Sequence, residues 1–229
     1  MYVYNKHILN ITDDFAMIIE LQIIDETLSN KDIKTLIDSI NDRTINKVAT
    51  LPCHIPVFKK YLNSKIKLSS IIDFPFGILS TNQRKDMLSQ SLDNGANSID
   101  ILCPSYMIVN KLYTAMKEDI LDMYNLCLDK QADLAYIMEY RTYTYDSLYK
   151  LCKILLDCQI KTTYISTGYK LDDLYDHLIA MAMINKKIPD INIIPNANLF
   201  NNNHKNLITG ANITKIRVSS INSVNLLIS

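Results

Sequence analysis

Short apolar runs of roughly four to eight residues recur along the chain, and most are followed by a longer segment with helical spacing. The runs are nearly continuous rather than strictly alternating, which is typical of strands covered on both faces. The pattern therefore predicts parallel strands joined by helices. The predicted strands are Ile19–Asp25, Asn46–Leu51, Lys67–Asp73, Asn97–Cys103, Leu134–Glu139, Lys161–Ile165, Ile191–Pro195 and Ile213–Ser219.

Amphipathic segments separate these strands. Apolar residues spaced by four and three predict one face of a long helix over 112–127. Similar stripes predict helices over 144–155, where Thr144 is placed to act as the N-cap, and over 171–181. Weaker segments of the same kind cover 31–42, 80–93 and 201–208. We interpret these stripes as faces that pack on the sheet rather than as cofactor sites.

Eight strands alternating with helices predict an α/β fold, a (β/α)8 TIM barrel, rather than an open doubly wound sheet. No Pro-, Gly- or Ser-rich linker divides the 229 residues. We therefore expect a single barrel domain over 1–229, with residues 1–18 as an N-terminal extension packing on it.

Composition excludes several classes of protein. A hydrophobic content of 48% excludes intrinsic disorder, and equal numbers of basic and acidic residues, 24 of each, argue against nucleic acid as a partner. No run of about 18 apolar residues predicts a membrane span, and the acidic flanks of Phe15–Ile24 do not fit a signal peptide. We expect a cytoplasmic protein without a membrane partner.

The five cysteines and four histidines are scattered, without a CxxC pair or a histidine at metal-ligand spacing. Neither a disulfide framework nor a metal site is expected from such an arrangement. The sequence predicts no metal and no cofactor.

Glycine occurs at only four positions, so we expect each to stand where other residues fit badly. The four lie in FPFG at 74–77, in GANSID at 95–100, in STG at 166–168 and, as Gly210, just before the eighth strand.

These motifs, in this order, resemble those of the deoxyribose-phosphate aldolase family. That family has an FPxG turn followed by a lysine, which Lys85 matches, then a GAxxID strand, an STG turn and a closing pair of serines. DETL at 25–28 resembles its DxTxL, CHIP at 53–56 resembles its CVxP, and Glu139 matches the Glu that ends its fifth strand. The resemblance extends from Asp25 to Ser220 and implies the same barrel fold.

The resemblance implies cleavage of 2-deoxyribose 5-phosphate to glyceraldehyde 3-phosphate and acetaldehyde through a Schiff base. A lysine amine must then be partly neutral near pH 7, although its ordinary pKa is about 10.4. Burial and a second cation lower that pKa, and an Asp relays protons. Asp100, at the end of the fourth strand, matches the proton-relay Asp.

The family's lysines are not matched. Tyr164 stands at the position of the imine-forming lysine, two residues before STG. The supporting lysine of the seventh strand falls at Ile193 or Ile194, and Ala135 occupies the position of a third. Because tyrosine cannot form an imine, we expect no primary ammonium group in the reactive part of the barrel interior.

The phosphate-binding end also departs from the family pattern. Its paired glycines read Ala197-Asn198, and Arg217 replaces the glycine before the serines, where it either binds an anion or blocks the pocket. The candidate substrate- and phosphate-binding residues are Ser166, Thr167, Gly168, Ser219 and Ser220, by resemblance, and Arg217, by the charge of its own side chain.

Several candidates have structural interpretations as well. Asp100 either relays protons or bonds a neighbouring loop, and Asp25 either lines the site or caps the first turn. Cys53 is either a thiolate or a small buried hydrophobe. Lys170, on the mouth loop, is the alternative amine or a solvated surface lysine, and Lys215 is a weaker candidate.

Three hypotheses follow. The first is a pseudoenzyme, an aldolase-like barrel that binds a small phosphorylated sugar or an unidentified protein without Schiff-base chemistry. The second is an active lyase with a relocated lysine, and the third is another barrel chemistry built on Asp100, Asp25 and Cys53. We expect a homodimer, because the family often dimerises and twofold dimers are the commonest oligomers.

Overall fold

The computed structural model describes residues 17–170 and 173–229, in which eight parallel strands form one sheet. The strands pair in the order β7-β6-β5-β4-β3-β2-β1-β8. Their bounds are β1 (Ile18–Ile23), β2 (Lys47–Thr50), β3 (Lys67–Ile72), β4 (Ser98–Leu102), β5 (Asp133–Ile137), β6 (Thr162–Tyr164), β7 (Asn192–Ile194) and β8 (Lys215–Val218).

The sheet closes on itself just beyond β7. Asn196 forms a parallel bridge with Arg217. The Arg217 amide donates to Pro195 O and the Ala197 amide donates to Arg217 O, both at 3.0 Å. With β1 paired to both β2 and β8, the strands form a TIM-type barrel, and the predicted fold is confirmed.

Nine α-helices and two short 3-10 helices, Pro52–His54 and Tyr140–Thr142, lie among the described residues, and each of the six predicted segments overlaps an α-helix. Thr144 is the N-cap of its helix, as predicted, and its hydroxyl accepts from the Ser147 amide. Helices α2, α4 and α9 were not predicted, because they are too short for a clear helical period. The helices are α1 (Asn30–Asn41), α2 (Ile55–Tyr61), α3 (Thr81–Asp93), α4 (Ser105–Val109), α5 (Tyr113–Asp129), α6 (Tyr145–Asp157), α7 (Leu174–Lys187), α8 (Asn202–Gly210) and α9 (Ile221–Ile228).

The predicted N-terminal extension lies mostly outside the described residues, which begin at Met17, and Ile18 is already the first residue of β1. Among the described residues no helix combines the length and the apolar character needed to span a membrane. No group of three or more His, Cys, Asp or Glu in the same ranges is arranged to hold a metal ion.

Alternate residues of each strand face opposite sides of the barrel wall. On β1, Ile19 and Leu21 pack in the core between the sheet and the helices, whereas Glu20 and Gln22 are buried on the other face. The interior is itself a packed core. Its apolar cluster consists of Ala49, Ile71, Leu102, Ala135, Ile137, Tyr164 and Ile194.

Candidate functional site

Asp100 lies at the centre of the barrel interior and is fully buried. Its Oδ1 accepts a hydrogen bond from Lys47 Nζ at 2.8 Å. Its Oδ2 accepts from Arg217 Nη2 at 2.7 Å and from Ser69 Oγ at 2.8 Å. The proton-relay candidate is therefore held by two cations and a hydroxyl.

Glu20 on β1 is the second buried carboxylate of this cluster. Its Oε2 accepts from Arg217 Nη2 and from the Tyr164 hydroxyl, both at 2.7 Å, while Oε1 lies 2.6 Å from Lys215 Nζ. The Arg217 guanidinium also stacks on the Tyr164 ring, 3.5 Å from its centre. We call these bonded side chains the interior network. It comprises Glu20, Lys47, Ser69, Asp100, Tyr164, Lys215 and Arg217.

The two carboxylates of the interior network are held in their charged forms. Burial opposes ionisation of Glu20, but Arg217, Lys47 and Lys215 outweigh burial and lower its pKa from 4.5 to about 2. Burial likewise opposes ionisation of Asp100, and Arg217 and Lys47 hold its pKa below the ordinary value. Both carboxylates are therefore ionised at neutral pH inside the barrel.

Lys47 is the cation of the interior network whose charge is not required to balance the two carboxylates. Burial lowers the pKa of Lys47, and the attraction of Asp100 and Glu20 only partly offsets that effect. The positive charges of Arg217 and Lys215 balance the negative charges of Glu20 and Asp100. A neutral amine at Lys47 would therefore leave the interior network without net charge. The Lys47 amine therefore loses its proton more readily than that of an ordinary lysine.

The expectation that no primary ammonium group reaches the barrel interior is wrong. Lys47 is the first residue of β2, points inward and bonds both Asp100 and, at 3.3 Å, the Tyr164 hydroxyl. Lys47 was missed because the lysines considered as replacements, Lys170 and Lys215, lie after β6 and on β8, and β2 was not considered. Lys47 and Ala49 lie two residues apart on one face of β2, as Glu20 and Gln22 do on β1. The alternation of these residues with the apolar residues between them could have revealed the inward faces.

Toward the C-terminal ends of the strands, apolar side chains cover the interior network. Ile71 lies two residues beyond Ser69 on β3, and Leu102 lies two residues beyond Asp100 on β4, and both pack in the interior apolar cluster with Ile137. Two cavities open at this end, of about 360 and 260 Å³, and Asp100 lines neither of them. The end that carries the active site in TIM-barrel enzymes therefore does not reach the network.

Ser166, Thr167 and Gly168 form a buried turn after β6. The Thr167 amide donates to Glu139 Oε2 at 3.1 Å, and the Gly168 amide donates to Ser166 Oγ at 3.3 Å. Gly168 has a φ of 69°, and an added Cβ would lie 3.0 Å from the Asn196 amide nitrogen. The glycine is thus required by the turn and by close packing.

Asp25, Ser219 and Ser220 come together around the 260 Å³ cavity between β1 and β8. Asp25 accepts from the Thr27 hydroxyl and amide, at 2.6 and 2.8 Å, and these bonds lower its pKa. Asp25 therefore caps the first turn, as one interpretation predicted. Ser220 is the N-cap of α9.

The remaining candidates lie apart from the interior network. Cys53 is exposed in the turn after β2, so its interpretation as a buried hydrophobe is wrong. Lys170 is exposed, donates to Thr142 Oγ1 at 2.9 Å and lines the 360 Å³ cavity. Lys85 lies on α3 and pairs with Asp122 at 3.1 Å. Gly210 has no neighbour within 4 Å of an added Cβ, so the expectation of a tight fit is wrong there.

No protein-family model matches the chain. The chain is 29% identical over 150 residues to the deoxyribose-phosphate aldolase of Clostridioides difficile, which is 66% of this chain and 64% of that protein. It is 24% identical over 144 residues to the deoxyribose-phosphate aldolase of Thermococcus kodakarensis, covering 62% of this chain and 64% of the relative. The similarity thus spans less than two thirds of the length of either relative.

Solved structures share the fold. An aldolase named QR15 superposes with a TM-score of 0.80 at 17% identity, over 93% of each chain. The tetrameric deoxyribose phosphate aldolase of Aeropyrum pernix superposes with a TM-score of 0.79 at 17% identity, over 94% of this chain and 90% of that one. Together with the sequence similarity, these comparisons show that the chain is a distant homologue of the deoxyribose-phosphate aldolase family.

Proposed function

We propose that this protein is a pseudoenzyme, a barrel that binds a small ligand and does not carry out Schiff-base aldol cleavage at the C-terminal ends of its strands. One observation carries the proposal. Tyr164 stands where the family's imine-forming lysine is expected, and its hydroxyl is fully used in donating to buried Glu20.

The setting of Tyr164 supports the proposal in two ways. Burial raises the pKa of Tyr164 well above its ordinary value, so the phenol stays protonated. The apolar cluster also separates Asp100 from the C-terminal opening, whereas a reacting carbonyl has to approach its nucleophile to about 3–3.5 Å. A sugar phosphate at that end would not reach Asp100.

A second candidate function rests on Lys47. Its amine lies 2.8 Å from Asp100 and lines a cavity at the N-terminal ends of the strands. In this alternative, the neutral amine adds to an aldehyde carbon and the carbinolamine loses water, with Asp100 accepting and returning the proton. Lys47 would then replace Lys170 as the relocated amine.

Reductive trapping tests both candidates. The full chain is incubated with acetaldehyde or 2-deoxyribose 5-phosphate, reduced with borohydride and mapped by peptide mass, while release of glyceraldehyde 3-phosphate is followed separately. The pseudoenzyme proposal expects no turnover and no adduct above that of Lys153, an exposed lysine on α6. Turnover with a specific adduct would refute it.

The variants identify which amine reacts if turnover is seen. An adduct and a turnover that both disappear in Lys47→Met but persist in Lys170→Ala would establish the second candidate. The reverse result would place the amine on the mouth loop. Retention of a folded chain in each variant is checked by its melting temperature.

Assembly is a separate part of the proposal. We expect a homodimer, since twofold dimers are the commonest oligomers. Light scattering of the purified chain would give a mass near twice 26.3 kDa, and a monomer mass would contradict this expectation.

A further inference from the structure

A cavity of about 580 Å³ opens at the N-terminal ends of the barrel strands. Its walls include the first residues of seven strands, among them Lys47 on β2, Lys67 on β3, Ser98 on β4 and Lys215 on β8. The volume lies in the range of about 300–1,000 Å³ that is typical of small-molecule sites. This cavity is at the opposite end of the barrel from the cavity that Asp25, Ser219 and Ser220 line.

The charges around this cavity favour an anion. Its lining contains four lysines and two carboxylates, leaving an excess of two positive charges when all are ionised. Lys215 pairs with Glu20 at 2.6 Å and Lys67 pairs with Asp133. Within the part of the chain that the structure describes, Lys65 has no carboxylate partner.

Ser98 supplies a second and independent feature. It is 1% exposed, lines the cavity and lies two residues before Asp100, so its side chain is on the inward face of β4. Its Oγ has no hydrogen-bond partner among the described residues. A buried hydroxyl without a partner costs free energy, which a ligand oxygen in the cavity would offset.

We propose that the N-terminal cavity binds a small oxyanion, a molecule carrying a phosphate or carboxylate group, through Lys65 and the Ser98 hydroxyl. Lys67 and Lys215 surround it, and the Lys47 amine lies at the inner end. This cavity would be the ligand site of the binding function proposed above, and the inference rests on that proposed function only to this extent. Oxyanion binding is measured without reference to turnover, so either proposal can fail alone.

Isothermal titration of the full chain with inorganic phosphate, pyrophosphate and citrate at low salt tests the inference. We expect saturable binding of at least one probe, with phosphate and citrate distinguishing the two oxyanion classes. Lys65→Ala and Ser98→Ala should each weaken binding about tenfold, the effect of losing one hydrogen bond to a charged group. Lys153→Ala, on the outer surface of α6, is the matched control and should bind as the wild type does.

Three results would overturn the inference. The first is no binding by the folded wild-type chain, and the second is binding that neither Lys65→Ala nor Ser98→Ala changes. The third is loss of binding in Ser219→Ala with Ser220→Ala while Lys65→Ala binds normally, because the anion would then occupy the other end of the barrel. Melting temperatures of all variants separate loss of binding from loss of fold.

Discussion

The guanidinium of Arg217 lies 3.5 Å from the centre of the Tyr164 ring, and both side chains donate to the same oxygen of Glu20. The motif resemblance implied a different residue at each position, glycine in place of Arg217 and lysine in place of Tyr164. The two residues are in contact and form one packing unit. A desolvated cation over an aromatic face contributes about 2 kcal/mol. Reverting either residue alone would disrupt the other.

Tyr164→Phe is predicted to lower the free energy of unfolding by about 1.5–3 kcal/mol, the value of a hydrogen bond to a charged group. The substitution removes the hydrogen bond to Glu20 but keeps the ring under Arg217, and Arg217 still bonds the same carboxylate oxygen. Urea denaturation followed by circular dichroism measures the change. Tyr164→Ala, which also removes the ring, should cost about 3–5 kcal/mol, and equal losses for the two variants would contradict this account.

Arg217→Met is predicted to lower the free energy of unfolding by about 3–5 kcal/mol. The substitution leaves Glu20 and Asp100 buried without the cation they share. Lys117→Met is the control, because the Lys117–Asp157 pair is exposed at 3.7 Å and should contribute less than about 1 kcal/mol. Denaturant titration of both variants provides the comparison, and similar losses would show that the shared cation is not important for stability.

Acid should destabilise the protein through Glu20. Its pKa is lowered from 4.5 to about 2 in the folded state, so the unfolded chain binds more protons as the pH falls between those values. The stabilisation, up to roughly 3 kcal/mol, is fully present above pH 4.5 and is lost toward pH 2. Asp100, whose pKa is also lowered, acts in the same direction.

The check is the free energy of unfolding measured at a series of pH values between about 2 and 6. Glu20→Gln should flatten the decline, because that carboxyl no longer titrates. Glu118→Gln, on the exposed face of α5, should leave the decline unchanged. A decline of the same steepness in all three proteins would rule out Glu20 as its source.

One thiol of five is predicted to react rapidly with a chromogenic disulfide reagent. Cys53 is exposed, whereas the other four cysteines are buried. Burial also raises the pKa values of Cys127 and Cys152 to about 12, which suppresses their thiolates. Cys53→Ser should abolish the fast phase in the native protein, and a remaining fast thiol would contradict the burial of the others.

The sequence by itself determined the order and type of the strands, because a buried parallel strand is encoded in a few consecutive apolar residues. It also identified local features, such as the Thr144 cap and the tight turn at Gly168, since these depend on neighbours within a few positions. The barrel followed from counting the alternating units. The sequence motifs also indicated the family, and the comparisons support this at the level of distant homology.

Only the tertiary structure decided what fills the barrel. Lys47 and Asp100 are 53 residues apart in sequence, and Arg217 and Glu20 are 197 apart, so closure of the sheet brings each pair together. The motif resemblance implied a lysine at the position of Tyr164, and no local pattern could show that another lysine, Lys47, enters the interior from β2. Local patterns specify which face a side chain takes, whereas its charged partners across the barrel depend on the register of all eight strands.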